Sequence, residues 1–300
     1  MSHDRLPPRR ACLVVPGSAA DKLAKAARRG ADELVIDLED AVVPHAKDGA
    51  RAAVVAALDT TDWGGASVSV RVNAPRTPWC HEDVIALAQA PGPLRSLVVP
   101  KVEGAGDLAF VERLLDGVEA AGGVRRERLR VQALVETATG IAHAREIAAA
   151  SPRLEALILG YADLAASLGR TAAGADDLAG WDPVRHAVLV AARASGVQAI
   201  DGPHLGLAPD AAFAAAARRA CDQGFDGKWA IHPAQLAPLV AVFTPTPEEV
   251  ARARAAIAAL AAAEREDGQG AVALDGQMVD EPVRLAALRT LARAGEAVGA

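Results

Sequence analysis

Val131-Gln132-Ala133-Leu134-Val135-Glu136 and, one helical stretch later, Ala156-Leu157-Ile158-Leu159-Gly160 form the segment on which the fold turns. Both runs are short, apolar and bounded by polar or glycine residues, the pattern of a strand buried on two faces. An alanine-rich stretch over 141–150 separates them with helical spacing. Two such strands joined by a helix pair in parallel through a right-handed crossover. The same unit recurs outward in both directions, with strand runs at 11–15, 33–37, 67–72, 96–100, 197–201 and 227–231 as well. Eight alternations of strand and helix predict an α/β fold, a (β/α)8 TIM barrel, with a doubly wound open sheet as the structural alternative. Helices are legible at 21–29, 106–121, 182–195 and 209–223.

After the eighth strand the sequence continues with a helix over 248–263, a Gly-rich stretch, a hairpin-like piece at 271–279 and a last helix from about Asp280. That is more chain than barrel closure needs. Residues 1–243 are therefore expected to form a catalytic barrel, and 244–300 a C-terminal helical lid extension that covers an opening or reaches a neighbouring subunit.

Composition narrows the function. The chain has 300 residues, 51% hydrophobic and 23% charged, which excludes disorder as its main state. Alanine makes up roughly a quarter of it, favouring helices with small packing faces. Thirty-eight acidic against 32 basic residues give a net charge of −6. That balance opposes counterion-release binding to nucleic acid and a polybasic membrane surface. Cys12, Cys80 and Cys221 are too few and too scattered for a disulfide framework. With no apolar leader in the first ten residues and no run of 18 apolar residues, a cytoplasmic protein is expected.

In a (β/α)8 barrel the chemistry sits at the carboxyl ends of the strands, and here those ends are polar. In order they carry Pro16-Gly17-Ser18, Asp37 with Glu39 and Asp40, Arg71 with Asn73, Lys101 with Glu103, Glu136, Gly160 with Asp163, Asp201 and His232. Carboxylates converging with Arg71 and Lys101 suit an anionic substrate and a divalent cation. Glu136 and Asp163 follow neighbouring strands and are candidate ligands for Mg²⁺, with Mn²⁺ as the alternative ion, since Mg²⁺ commonly takes one or two carboxylates and keeps waters. The competing reading makes Glu136 and Asp163 helix-capping acids. Gly160 would let a ligand approach the backbone and free the N–H groups of Ala162 and Asp163 for a carboxylate.

Other residues stay open on the same grounds. Arg71 alternates with outward-facing neighbours and points inward, where it either grips a substrate carboxylate or pairs with Asp37 or Glu39. Asp280, followed by Pro282, reads locally as the N-cap of the last helix. His232 reads as a satisfied rim residue, and no cysteine has a partner that would activate it. The Gly104-Ala-Gly106-Asp-Leu-Ala109 stretch matches a dinucleotide fingerprint but does not directly follow its strand.

Taken together, Arg10-Ala-Cys-Leu-Val-Val-Pro16-Gly17-Ser18, Asp37-Leu-Glu39-Asp40-Ala-Val42, Val70-Arg71-Val-Asn73, Pro100-Lys101-Val102, Glu136-Thr-Ala-Thr-Gly140, Asp163-Leu-Ala-Ala-Ser-Leu-Gly169, Asp201-Gly-Pro203, Gly227-Lys-Trp-Ala-Ile-His-Pro233 and Gly276-Gln-Met-Val-Asp280 resemble the HpcH/HpaI aldolase and citrate lyase β-subunit family. The likeness spans almost the whole chain and is strongest to the malyl-CoA, β-methylmalyl-CoA and citramalyl-CoA lyase branch. It implies a Mg²⁺-dependent carbon–carbon lyase that splits a 3-hydroxy-3-carboxyacyl-CoA into an oxo acid and an acyl-CoA. Glu136 and Asp163 would be the metal ligands, Arg71 would hold the oxo-acid carboxylate, and the N–H groups of Ala162 and Asp163 would hold the same ligand.

By the same resemblance Val14, Lys25 and Ile231 match CoA contacts. Asp280 matches an acid/base aspartate on the lid, contributed by an adjacent subunit of a homotrimer or homohexamer. Two departures stand out: Ala19 and Ala20 replace a first-loop arginine, so that a CoA phosphate either loses a contact or finds Arg10 or Lys22 instead, and the loop over 170–181 is short. Rival readings are a malyl-CoA thioesterase, a CoA-independent oxo-acid aldolase, and a subunit acting on an acyl carrier.

Overall fold

Eight parallel strands close on themselves in chain order: β1 (Ala11–Pro16), β2 (Glu33–Asp37), β3 (Ser67–Arg71), β4 (Leu94–Val99), β5 (Arg130–Val135), β6 (Leu154–Leu159), β7 (Gln198–Asp201) and β8 (Gly227–Ala230). Pairing of Ala11 with Lys228 and Leu13 with Ala230 joins the last strand to the first, which rules out the open-sheet alternative. The structure, a computed structural model, describes residues 6–122, 128–170 and 179–296.

The helical layer between the strands comprises α1 (Ala20–Ala26), α2 (Lys47–Thr60), α3 (Cys80–Gln89), α4 (Ala105–Gly122), α5 (Ala138–Ala142), α6 (Ala144–Ala148), α7 (Tyr161–Ser167), α8 (Asp182–Ala194) and α9 (Ala211–Gln223), and α10 (Leu236–Phe243) follows β8. The single helix expected over 141–150 is broken into α5 and α6. His143, at the break, has φ −101° and ψ 13°, outside the helical well, and its Nδ1 lies 2.9 Å from the Glu103 carbonyl.

Strand alternation sorts the barrel interior into layers. The middle layer is apolar: Cys12, Val35, Val98, Leu134, Ala156, Ile158, Ile200 and Trp229 form one buried cluster, with Val14 packed against it. Two residues down β2, β4 and β5 the interior turns polar, with Glu33, Ser96 and Gln132 fully buried beside Ser69 of β3. Two residues up β2 and β5 it turns polar again, with Asp37 and Glu136 buried, joined by Arg71 of β3. Apolar residues thus separate the two polar levels on β2 and β5, while β3 passes from Ser69 directly to Arg71, and the upper level lies at the end where catalytic groups collect in this fold.

The chain folds into two compact units, Met1–Val240 and Ala241–Ala300. The second is built from α11 (Pro247–Asp267), the antiparallel pair β9 (Ala271–Leu274) and β10 (Gln277–Asp280), and α12 (Glu281–Arg293). A capping box starts α11: Thr246 Oγ1 accepts from the Glu249 N–H at 3.2 Å, and Glu249 Oε2 accepts from the Thr246 N–H at 2.7 Å. Gly268, left-handed at φ +63°, ends it. Asp275 and Gly276, both at positive φ, make the tight turn of the hairpin. Ala253, Ala287 and Leu291 pack α11 on α12, and Ala256, Leu260 and Val279 seat the hairpin. No described helix is long and apolar enough to cross a membrane.

Candidate active site

Register brings the first two charged groups together. Asp37 at the end of β2 stands opposite Arg71 at the end of β3. The guanidinium donates to both Asp37 oxygens, Nε to Oδ1 at 2.8 Å and Nη2 to Oδ2 at 2.6 Å, and Nη1 lies 3.0 Å from Glu39 Oε2. Asp37 in turn accepts the Glu39 N–H at 2.8 Å, and buried Lys47 donates to the Leu38 and Glu39 carbonyls at 2.8 Å each. The β2 loop is thereby fixed with Glu39 held at the mouth. Burial pushes the Glu39 carboxyl up, against the pull of Arg71 and Lys101.

Lys101 joins this cluster to the next. Its backbone sits at φ +52°, a left-handed conformation that a side-chain-bearing residue adopts only where surroundings enforce it. That turn sends its N–H to Glu136 Oε1 at 3.0 Å and its ammonium to Glu39, with Asp163 Oδ1 at 3.7 Å. Burial would lower the ammonium, but Glu39 outweighs it and holds Lys101 above the usual lysine range. One residue therefore touches the groups expected on three strands.

Glu136 is 2% exposed, and its carboxyl is pushed up to about 8, by burial first and then by the negative charges of Asp163 and Glu39. The side chain fits only because residue 160 is glycine. A Cβ there would stand 2.5 Å from Glu136 Oε2 and 2.6 Å from its Cβ. The expectation that Gly160 opens the backbone to a ligand is thus corrected: the room is taken by Glu136 itself.

Among the described residues, Asp37, Glu39, Glu136 and Asp163 face Arg71 and Lys101, and counting Asp40 and Lys47 as well leaves the same two-charge acid excess. A divalent cation matches that excess. Among the same residues no group of three or more His, Cys, Asp or Glu side chains is placed to hold a metal, so two carboxylates would act with water and substrate oxygens, the manner of Mg²⁺.

Other expected residues fall in distinct places. Leu13 pairs with Ala230, so half-buried Val14 and Ile231 follow on neighbouring strands at the same rim. Lys25 is exposed on α1, with Nζ 3.4 Å from Asp21. Ala162 is exposed in the first turn of α7. Asp280, in the second unit, caps α12 by accepting the Val283 N–H at 3.3 Å. Arg10 does not reach the active rim: at the start of β1 it donates to both oxygens of Asp32, at 2.8 Å, beside the amino end of β2. Lys22 remains exposed on α1. Asn73 turns away to Asp83, donating from backbone and side chain at 2.9 and 2.6 Å. His232 Nδ1 caps its own turn by accepting the Ala234 N–H. The short loop over 170–181 lies, at 171–178, outside the described residues.

Sequence reasoning assigned no role to Tyr161, Arg185 or Lys228, which meet Asp201 in a buried cluster beside α7. No motif spacing signals it, because its members come from four separate elements.

Comparison with known proteins agrees with this geometry. The profile of the HpcH/HpaI aldolase/citrate lyase family matches residues 10–233. An L-malyl-CoA/beta-methylmalyl-CoA lyase of Cereibacter sphaeroides is 39% identical over 91% of this chain and 90% of its own length. A (3S)-malyl-CoA thioesterase of the same species is 38% identical over 98% of this chain and 96% of its own. The crystal structure of CitE from Mycobacterium tuberculosis with magnesium, acetoacetate and coenzyme A superposes with a TM-score of 0.77 and 34% identity, covering 97% of this chain and 100% of that one. Motifs, barrel and relatives converge, and the chain belongs to the HpcH/HpaI aldolase/citrate lyase family.

Proposed function

We propose that this protein is a Mg²⁺-dependent carbon–carbon lyase acting on a 3-hydroxy-3-carboxyacyl-CoA, of which malyl-CoA and β-methylmalyl-CoA are the leading candidates and citramalyl-CoA a third. The observation that carries the reading is the acid excess around buried Glu136, together with the metal-bound and lyase relatives described above. Glu136 and Asp163 hold the cation, for which Mn²⁺ would also serve. Bound there, the metal supplies Lewis-acid polarisation of the substrate oxygens.

The chain's own groups do the rest. Asp37 occupies the Nε–Nη2 edge of Arg71, so the oxo-acid carboxylate meets the guanidinium through Nη1 by displacing Glu39 from it. The N–H groups of Ala162 and Asp163 give that carboxylate further donors. Val14, Ile231 and Lys25 line the path of CoA. As the bond breaks, the hydroxyl proton passes to solvent water, from which Asp280 is later reprotonated, a carbonyl forms, and the bonding pair moves to the carbon next to the thioester. Asp280, contributed by a second copy in a homotrimer or homohexamer, delivers a proton to that carbon and so yields the acyl-CoA. Its cap hydrogen bond fixes the carboxylate for that task.

The test is a panel of malyl-, β-methylmalyl- and citramalyl-CoA with Mg²⁺, following oxo acid and free thiol together. Oxo acid without free thiol is expected. Free thiol without oxo acid would favour hydrolysis, the reading that the thioesterase relative supports, and neither product from any substrate would overturn the proposal.

A further inference from the structure

Two sequence motifs remain outside the chemistry described so far: Asp201-Gly202-Pro203 after β7, and Gly227-Lys228-Trp229 on β8. They meet at a single side chain. Tyr161, the first residue of α7, donates its hydroxyl to Asp201 Oδ1 and accepts from Arg185 Nε at 2.6 Å. Lys228 Nζ donates to Asp201 Oδ2 and to the Gly202 carbonyl, each at 2.5 Å. The Tyr161 ring packs edge-on against Trp181 at 5.1 Å between centroids, with the Arg185 guanidinium 5.4 Å and the Lys228 ammonium 5.7 Å from its own centroid. Gly202 makes room for it, since a Cβ there would come within 2.9 Å of Tyr161 Cδ2.

Asp201, Arg185 and Lys228 are each at most 2% exposed. Burying two cations and one carboxylate is costly. The bonds of Lys228 to Asp201 and Gly202, of Tyr161 to Asp201 and of Arg185 Nε to Tyr161 offset part of that cost, while Arg185 Nη1 is left without a hydrogen-bond partner among the described residues. What the cluster immobilises is the start of α7, a helix of only seven residues. Asp163 lies two residues beyond Tyr161, while its carboxylate is 35% exposed and 3.7 Å from Lys101 at its nearest cation. Its own contacts are therefore loose, and its aim is set by the backbone that Tyr161 anchors.

We propose that Tyr161 is a positioning residue, clamped by Asp201, Arg185 and Lys228, which fixes the first turn of α7 and thereby the aim of Asp163 at the divalent cation. The inference rests on the metal assignment above. Tyr161→Phe removes the hydroxyl and keeps the ring packing. Partners that orient a metal ligand are worth roughly 10–100-fold in metal affinity, and this indirect one is expected at the lower end, about tenfold.

The experiment measures Mn²⁺ binding to the full-length protein by electron paramagnetic resonance and calorimetry, without substrate. Wild type, Tyr161→Phe and Ser69→Ala are compared, the last losing hydrogen bonds in the lower polar layer. The expected result is about tenfold weaker Mn²⁺ binding in Tyr161→Phe, unchanged binding in Ser69→Ala, and a raised Mg²⁺ requirement for turnover with kcat restored at saturating metal. If Tyr161→Phe does not fold, Arg185→Lys, which keeps the charge but shortens the donor, should show the same selective loss. Wild-type affinity in the folded variant, or an equal loss in Ser69→Ala, overturns the positioning role alone. Absence of Mn²⁺ binding by wild type removes the metal assignment and the inference with it.

Discussion

Polar clusters at the two ends of the barrel both bring carboxylates against cations, yet only the upper one carries an acid excess. In the lower layer Arg9 pairs with Glu33 at 3.1 Å and with Glu155, while Arg95 donates to the other Glu155 oxygen at 2.8 Å. Ser69 and Gln132 donate to Glu33 Oε1. Two carboxylates thus meet three guanidinium groups, since Arg130 Nε also lies 3.8 Å from Glu155 Oε2, and every carboxylate oxygen has a donor. In the upper layer four carboxylates meet two cations, one acid is pushed up to about 8, and Lys101 is held in a left-handed conformation. Burial alone marks neither layer as functional; an acid excess together with backbone strain does.

The largest effects should come from exchanging damage between the layers. Glu136→Gln should lower turnover by at least about 10²–10³, the scale of losing one preorganised charge, while the fold is retained. Arg9→Met should do the reverse. It leaves Glu33 and Glu155 buried without their shared partner, which costs about 3–5 kcal/mol of stability, with metal affinity of the folded protein unchanged. Thermal melts and steady-state rates on both variants check the contrast. An Arg9→Met protein that melts like wild type would remove the claim that the lower layer is structural.

Proton linkage sharpens the difference. A carboxyl whose pKa is raised from 4.5 to about 8 in the folded state favours its protonated form there. Its contribution to metal-free stability is complete below about pH 4.5 and is lost as pH rises through about 8. At about 1.4 kcal/mol per unit, a loss on the order of 3–5 kcal/mol is expected across that window. Glu136→Gln should flatten the dependence, and saturating Mg²⁺, which binds the ionised form, should offset it. Denaturant melts from pH 5 to 9 with chelator and with Mg²⁺ test both signs; parallel curves for wild type and Glu136→Gln would contradict the assignment.

A smaller effect tests the fit of one atom. Gly160→Ala has no backbone penalty, because φ is −106°, but its methyl would collide with Glu136. Overpacking costs typically about 1–3 kcal/mol, and Glu136 must move to relieve it. Metal affinity should fall about tenfold with only modest destabilisation. Unchanged affinity would mean that Glu136 can leave its present position without consequence for the cation.

Sequence reading recovered all eight strands because a parallel sheet covered on both faces leaves continuous apolar runs, and these stop where the rim begins. The hairpin-like piece at 271–279 and the helix over 248–263 were equally local. Of the polar residues read at the strand ends, Asp37, Glu39, Arg71, Lys101, Glu136 and Asp163 come together, whereas Asn73, Asp201 and His232 take structural partners of their own. These pairings were not legible. That Arg71 pairs with Asp37 along its Nε–Nη2 edge, with Glu39 beside Nη1, follows from the β2–β3 register. The left-handed turn at Lys101 and the dependence of Glu136 on Gly160 arise from contacts between neighbouring strands, which no single stretch encodes. Arg10 was misplaced for the same reason. Its proximity to β1 in sequence does not reveal that it lies at the amino end, held by Asp32.

The central claim, that Glu136 and Asp163 share one divalent cation, is tested most directly by calorimetric titration of Mn²⁺ into wild type, Glu136→Gln, Asp163→Asn and the double variant. One site per chain should be found, lost by at least about 10²-fold in each single variant, with the double variant scarcely worse, as for two ligands of one ion. Wild-type affinity in Glu136→Gln, or losses that add as independent sites would, contradicts it.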